Sequence, residues 1–545
     1  MGASANRRDP GGWFAIHSRR AETPRVILTN ELLLSASRRS TDNVVVAREG
    51  EKTKMTSAQE SRARTGIEGL DDILHGGLVP NRLYLVEGAP GSGKTTLAFQ
   101  FLLEGVRRGE AALHFTLSES DEEIHAMAAS HGWSLDGVTI RELMPSGENL
   151  RQQYTVFHPS EVELSETTRR ILEEVERDRP ARVVIDSLSE LRLLSGDALR
   201  YRRQILALKQ FFAGQRCTVL VLDDLTSIER DLQVQSIAHG ALMLEHFKPS
   251  FGSLRRRLSI TKFRGSDFRA GYHDYAIRQG GLEVYPRLVA LEHRQKASRA
   301  RLSSGLAGLD SLMGGGLERG TSTLLVGASG TGKSSIAALF AAQAAARGER
   351  AALFIFDESA NTLFSRMAGF GVDLAKYVDD GHISVAQVDP AELSPGEFSH
   401  SIRRAISRES TTILVIDSLN GYLNSMPDEK FLIVQLHELL TFLGQRGIAT
   451  ILIATQAGII GSQMSSPVDA SYLSDAVLLL RYYEADGEVK QAISAVKMRG
   501  SDHERTIREF IMRGGRMEVG EPLRNYRGIF TGVPEKIASR DQRAN

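Results

Sequence analysis

At 545 residues the chain is too long for one hydrophobic core, and ordinary domain sizes divide it into two to four units. Its 67 Lys and Arg against 67 Asp and Glu cancel, so the global field favours neither nucleic acid nor an anionic membrane as partner, and no apolar run approaches the roughly 20 residues that span a bilayer. The one cysteine, Cys217 in the run CTVLVL, excludes an intrachain disulfide and a multi-cysteine zinc ribbon, and reads as a buried thiol in a reducing, cytoplasmic compartment.

Residues 1–62 carry the pairs Arg7-Arg8, Arg19-Arg20 and Arg38-Arg39 with little periodicity and are expected to be a disordered extension; Met55 offers an alternative start. From 63 to 290 short apolar runs alternate with longer amphipathic stretches, the pattern of β-α units around a parallel sheet. RLYLVEG, ALHFTL, RVVIDS and CTVLVLDD are its candidate strands, and Tyr201, Ile205, Leu208 and Phe212 place one apolar stripe on a helix before the last of them. A polar, basic linker is expected over 291–303 and a second domain over 304–534, with strands TLLVGA, ALFIFD, TILVID and TILIAT; residues 535–545 read as a flexible tail.

The second domain repeats the first. TGIEGLDDILHGGL from Thr65 is echoed by SGLAGLDSLMGGGL from Ser304, and Gly327 and Glu358 each stand 239 positions after their counterparts Gly88 and Glu119. Later pairs, RVVIDSLS with ILVIDSLN and KFRGSD with KMRGSD, drift to offsets of 231 and 235, as loop insertions produce.

Gly88-Ala89-Pro90-Gly91-Ser92-Gly93-Lys94-Thr95, followed by Thr96, fits G-x-x-x-x-G-K-[ST] between a strand and a helix. Its glycines let backbone N–H groups curl around phosphate, Lys94 reaches the β- and γ-phosphates, and the Thr95 hydroxyl holds Mg²⁺. Gly327-Ala328-Ser329-Gly330-Thr331-Gly332-Lys333-Ser334, followed by Ser335, repeats every element. One such match arises by chance on the order of a few per cent of the time in a chain this long; two in register do not.

Asp186 and Asp417 end apolar strands, where a carboxylate accepts a water from the Mg²⁺ shell; capping the next helix is the blander role. Glu119, and Asp357 with Glu358, close the strand after the P-loop helix, where a carboxylate can polarise the attacking oxygen; an exposed acidic helix start is the alternative. Lys262 and Arg264, like Lys497 and Arg499, alternate on late strands. Their spacing suits a clamp on phosphate in the same subunit or across to a neighbour, or a solvated strand face.

Taken together, the TG-x-x-GLD leader, the P-loops, the strand ending in carboxylates, the IDS aspartates and K-[FM]-RG-S resemble the KaiC family over both halves, from about Thr65 to Pro534. The resemblance implies an α/β fold of two tandem RecA-like P-loop NTPase domains, each a mostly parallel sheet flanked by helices. It implies a homohexamer with Mg·ATP between subunits, ATP hydrolysis, Ser/Thr autophosphorylation by the second domain, and KaiB-like or signalling partners. It implies nucleotide contacts from Lys262, Phe263, Arg264, Ser266, Lys497, Met498, Arg499 and Ser501 of a neighbour, with Ser130 and Phe370 beside the base. Ser118 departs from the family's first Glu, and Asp357 is one methylene shorter. Of the family's paired phosphoacceptors Ser471 keeps its hydroxyl while Tyr472 does not; Ser466 aligns with a nearby family Thr. Two rivals stay open: a RecA-type DNA-dependent ATPase, for which RRRLSITKFR near Arg255 is a basic strip, and a non-catalytic ATP-gated scaffold.

Overall fold

A computed structural model of the chain describes residues 62–143, 159–225, 232–249, 252–290, 300–407, 411–424, 429–456, 471–500, 502–531 and 534–537. The expected extension up to residue 61, linker residues 291–299, Ser466, Ser501 and tail residues 538–545 lie outside the described residues.

Residues 59–545 make one compact unit holding two nine-stranded sheets. The first uses β1 (Leu83–Gly88), β2 (Ala112–Thr116), β3 (Val138–Glu142), β4 (Arg182–Asp186), β5 (Thr218–Asp224), β6 (Gly240–Phe247), β7 (Arg255–Phe263), β8 (Tyr272–Arg278) and β9 (Gly281–Tyr285). The second repeats it with β10 (Ser322–Gly327), β11 (Arg350–Ile355), β12 (Ile383–Gln387), β13 (Thr411–Asp417), β14 (Ala449–Thr455), β15 (Ala476–Ala485), β16 (Glu488–Met498), β17 (Arg508–Arg513) and β18 (Arg516–Pro522). Strand order is β3-β2-β4-β5-β1-β6-β7-β8-β9 in one and β12-β11-β13-β14-β10-β15-β16-β17-β18 in the other. From β3 to β6 neighbours run parallel, and from β6 to β9 antiparallel. The second sheet follows suit. These are the two mostly parallel, helix-flanked sheets of tandem RecA-like domains.

The burial explains the sequence pattern. β1 and β4 are buried at every position because the central parallel strands are covered on both faces, so they read as unbroken apolar runs. β7, in the antiparallel extension, mixes buried and half-exposed positions and carries Arg, Ser, Thr and Lys. Among the helices, α1 (Lys94–Arg107) and α2 (Asp121–Ser130) follow β1 and β2, and α3 (Ala198–Gly214) precedes β5. In the second half α4 (Lys333–Ala346) and α5 (Ala360–Ala368) repeat α1 and α2, and α6 (Pro395–Ile406) precedes β13. The stripe Tyr201, Ile205, Leu208 and Phe212 on α3 is buried, and so is Cys217, whose thiol burial pushes up to about 12.

Two expected boundaries fall inside ordered pairing. Arg301 and Leu302, within the expected linker, pair with Glu318 and Leu317, as Ala63 bridges to Leu78 in the first half. Glu535 and Lys536 pair with Arg527 and Tyr526, so the segment from 535 begins in a short ladder.

The basic strip on β7 is taken up by structure. Arg255 donates to the carbonyls of Pro390 (3.1 Å), Ala391 (3.0 Å) and Glu392 (3.1 Å) in the second half. Arg257 pairs with Glu245 at 2.5 Å and lies 4.1 Å over the Tyr272 ring. β8 adds Asp274, which accepts the Gly396 N–H at 2.8 Å on α6, and Arg278, which pairs with Glu397. What looked like a track for single-stranded DNA is a joint between the two halves.

Candidate nucleotide-binding sites

Each P-loop leaves the carboxyl end of the middle strand of its sheet and runs into the amino end of a helix. Gly91 and Gly93 adopt φ of +77° and +93°, which L side chains rarely adopt. A Cβ on Gly93 would also lie 2.7 Å from Ile277 of β8. Gly330 and Gly332 repeat these angles at +79° and +94°. In such a loop successive N–H groups point inward, and the helix behind adds its positive end, so the cradle fits a polyphosphate.

Around the first loop, Lys94 is almost buried and donates to the carbonyls of Gly88 (3.0 Å) and Ala89 (3.3 Å). It also pairs with Asp224 at 2.6 Å. The Thr95 hydroxyl donates to Asp186 at 2.7 Å, uniting the hydroxyl and strand-end carboxylate of the two sequence motifs. Burial, with the nearby charge of Glu119, pushes Asp186 up to about 6 despite the Thr95 bond. Asp186 thus faces the P-loop and does not cap the helix after it, which has no side-chain cap. Glu119 stands just before the Ser120 N-cap of α2, its turn fixed by Thr116, whose hydroxyl bonds the Glu119 N–H and carbonyl at 3.0 and 2.7 Å. Burial and the charges of Glu123 and Asp224 raise its carboxyl above the usual range.

The second site has the same frame. Lys333 donates to the carbonyls of Gly327 (3.0 Å) and Ala328 (2.7 Å), and burial pushes it down to about 8. Asp417, bonded to Ser334, is pushed up to about 6 by burial. Ser329, Gly330, Lys333, Ser334, Glu358 and Asp417 line one cavity of about 250 Å³. Two groups there were not foreseen. Arg366 on α5 grips Glu358 through both carboxylate oxygens at 2.7 Å and reaches Ser335 at 3.2 Å. Ser418 hydrogen-bonds Asp357. Among the described residues no cluster of three acidic, His or Cys side chains marks a metal site. Thr95 with Asp186, and Ser334 with Asp417, nevertheless each pair a hydroxyl with a carboxylate, hard oxygen donors that would suit Mg²⁺.

The late-strand cations lie elsewhere. Lys262 is opposite Ala241, one residue past Gly240, which pairs with Tyr84 near the start of β1. Lys262 is thus level with Leu85, and Arg264, whose N–H bonds the His239 carbonyl, with Leu83, about 10 and about 17 Å, at ~3.3 Å per residue, from the Gly88 edge where their own P-loop begins. The same-subunit clamp is therefore not formed within a domain. Lys262 instead donates to the carbonyls of Gln235 (2.5 Å) and Ser236 (3.0 Å), and Arg264 to that of Ser236 (3.1 Å). Lys497 repeats this with Ser471 (2.6 Å) and Ser474 (2.8 Å), and Arg499 with Tyr472 (3.1 Å). The Phe263 ring is buried against Tyr84 at a centroid distance of 5.8 Å, so it belongs to the core, and Met498 packs on the core of the second half. Ser266 accepts from Arg62 at 2.6 Å. Ser130 ends α2 with its hydroxyl on the Met127 carbonyl (2.7 Å), and Phe370 follows α5.

Asp224, Arg366 and Ser418 escaped sequence reading because what matters is their approach to residues far away in the chain. Asp224 had one visible signal: CTVLVLDD ends in carboxylates where TILIAT ends in Thr455.

Comparison with known proteins supplies an independent line. A family model described as ATPase: KaiC matches residues 63–289 and 302–524. The chain is 30% identical over 491 residues to the circadian clock oscillator protein KaiC of Picosynechococcus sp., covering 88% of this chain and 93% of the relative. It is 29% identical over 500 residues to the protein of that name from Thermostichus vulcanus, covering 89% and 94%. It is 28% identical over 485 residues to the circadian clock protein KaiC3 of Synechocystis sp., covering 87% and 94%.

Proposed function

This chain belongs to the KaiC family of ATPases, and from that premise we propose a Mg·ATP-hydrolysing homohexamer whose second domain phosphorylates its own Ser471. The observation that carries this reading is the placement of Lys497 and Arg499. They hold the backbone of residues 471–474 at the sheet edge away from their own P-loop. Cations and acceptor thus travel together, and both meet a nucleotide when a neighbouring copy presents its P-loop to that edge.

In such a border the P-loop N–H groups and Lys333 of one copy hold the phosphates. Mg²⁺, when bound beside Ser334 and Asp417, neutralises phosphate charge. Glu358 accepts the proton of the attacking oxygen, the γ-phosphoryl passes to that oxygen, and ADP leaves with the broken bridging bond. Water as attacker gives hydrolysis; the Ser471 hydroxyl gives a phosphoserine. Arg499 reaches in from the neighbour as a counter-charge. The first domain lacks this acceptor, since Gln235 stands where Ser471 does, and with Ser118 in place of Asp357 it is the slower site. The similarity to circadian clock proteins leads us to a nucleotide- and phosphorylation-dependent timing or signalling role, read by KaiB-like partners.

Incubation of the purified chain with γ-labelled ATP and Mg²⁺, beside a Ser471→Ala control, tests the reading. Label mapped to Ser471 and lost in the control is expected. Released phosphate with no labelled protein would retain the ATPase and overturn the autokinase.

A further inference from the structure

The carboxylate on Lys94 has no counterpart in the second half. Gly88 of β1 is in register with Asp224 of β5, and Gly327 of β10 with Thr455 of β14. The same strand end thus presents an anion to one P-loop lysine and a hydroxyl to the other site. The Asp224 backbone is anchored, its N–H bonded to Ser189 at 3.1 Å and the next N–H to the Gly88 carbonyl at 3.2 Å. Its side chain is 27% exposed and aims at Lys94 Nζ, 2.6 Å away. Thr455 is instead locked by Asn420, which bonds its N–H at 2.9 Å and its carbonyl at 3.1 Å.

A third carboxylate therefore joins Asp186 and Glu119 around the place where the nucleotide's phosphates would lie. Its charge is among those that raise both of their carboxyls. An incoming polyphosphate must take Lys94 from Asp224 and then lie beside the anion it displaced, a repulsion that a divalent cation between them relieves. Resting on the nucleotide-site reading above, we propose that Asp224 is a positioning residue that competes with nucleotide phosphate for Lys94, lowering the first site's nucleotide affinity and making it more dependent on a divalent cation than the second site.

The test uses the full chain with Lys333→Ala to silence the second site, and a fluorescent ADP analogue titrated with and without Mg²⁺. Adding Asp224→Thr, which copies the second half, should tighten first-site binding without Mg²⁺ by about fivefold, the upper end for a partly exposed ion pair. It should also shrink the ratio of affinities with and without Mg²⁺. Asp224→Asn, which keeps the shape, should act in the same direction, so a folding defect cannot imitate the effect. Unchanged or weaker binding in both variants overturns the proposal. Undiminished binding in the Lys94→Ala, Lys333→Ala chain would overturn instead the reading of the P-loop as the nucleotide site.

Discussion

In the first half the P-loop lysine meets a carboxylate, Asp224, and the carboxylate before α2 stands behind a serine, Ser118. In the second half the lysine rests on two loop carbonyls, and it is the carboxylate, Glu358, that is held by a charged partner, Arg366. The position equivalent to Arg366 is Met127. Strand order, P-loop glycine angles and the register of the middle strands are the same in both. The difference teaches that a duplicated fold keeps the loop, lysine and strand-end carboxylate in place while the charges at neighbouring strand and helix ends diverge.

Removing or exchanging the groups that differ is the way to break this comparison. Glu358→Gln keeps the contact with Arg366 as a hydrogen bond but removes the proton acceptor, and should lower second-site phosphate release about 100-fold. An effect under tenfold would assign the base elsewhere. Ser118→Asp copies Asp357 into the first site and should raise turnover there about tenfold, read in a Lys333→Ala chain. Arg366→Met copies the first half into the second; with Glu358 released, phosphate release should rise about threefold, the scale of one half-exposed ion pair. A fall would make Arg366 part of the phosphate-binding machinery.

The smallest effect concerns stability. His114 on β2 is fully buried against Phe99, with neither ring nitrogen hydrogen-bonded among the described residues, and burial lowers it to about 3; its counterpart on β11 is Leu353. An unfolded His takes a proton below about 6.5 while the folded one does not until about 3, so stability falls as pH drops through that window. Between pH 6.5 and 5 this costs about 2 kcal/mol. His114→Leu should raise the melting midpoint at pH 5 more than at pH 7.5; an equal shift at both would show that the proton is not the cause.

Much of this was legible in the sequence. Lys94, Thr95 and Asp186, with Lys333, Ser334 and Asp417, are found by local spacing at strand ends, and local rules fix local geometry. The alternating cations of Lys262 and Arg264 were legible as a pair. Which end of the sheet they occupy was not, because that follows from β7 running antiparallel to β6. The family resemblance implied Phe263 as a nucleotide contact, yet side chains alternate along a strand, and its ring turns into the core. Asp224 and Arg366 depend on register and on the direction a helix points its side chains, neither of which spacing encodes.

The claim that nucleotide is held between copies meets its most direct test in mixed assemblies. Lys333→Ala removes a P-loop lysine and Arg499→Ala an exposed cation at the opposite edge of the sheet; each alone should abolish labelling at Ser471. Co-expressed in equal amounts, they leave about one border in four with an intact P-loop from one copy and an intact Arg499 from the next, so about a quarter of wild-type labelling should return. Labelling that stays at the level of the two variants alone, in a mixture shown to co-assemble, would contradict the account.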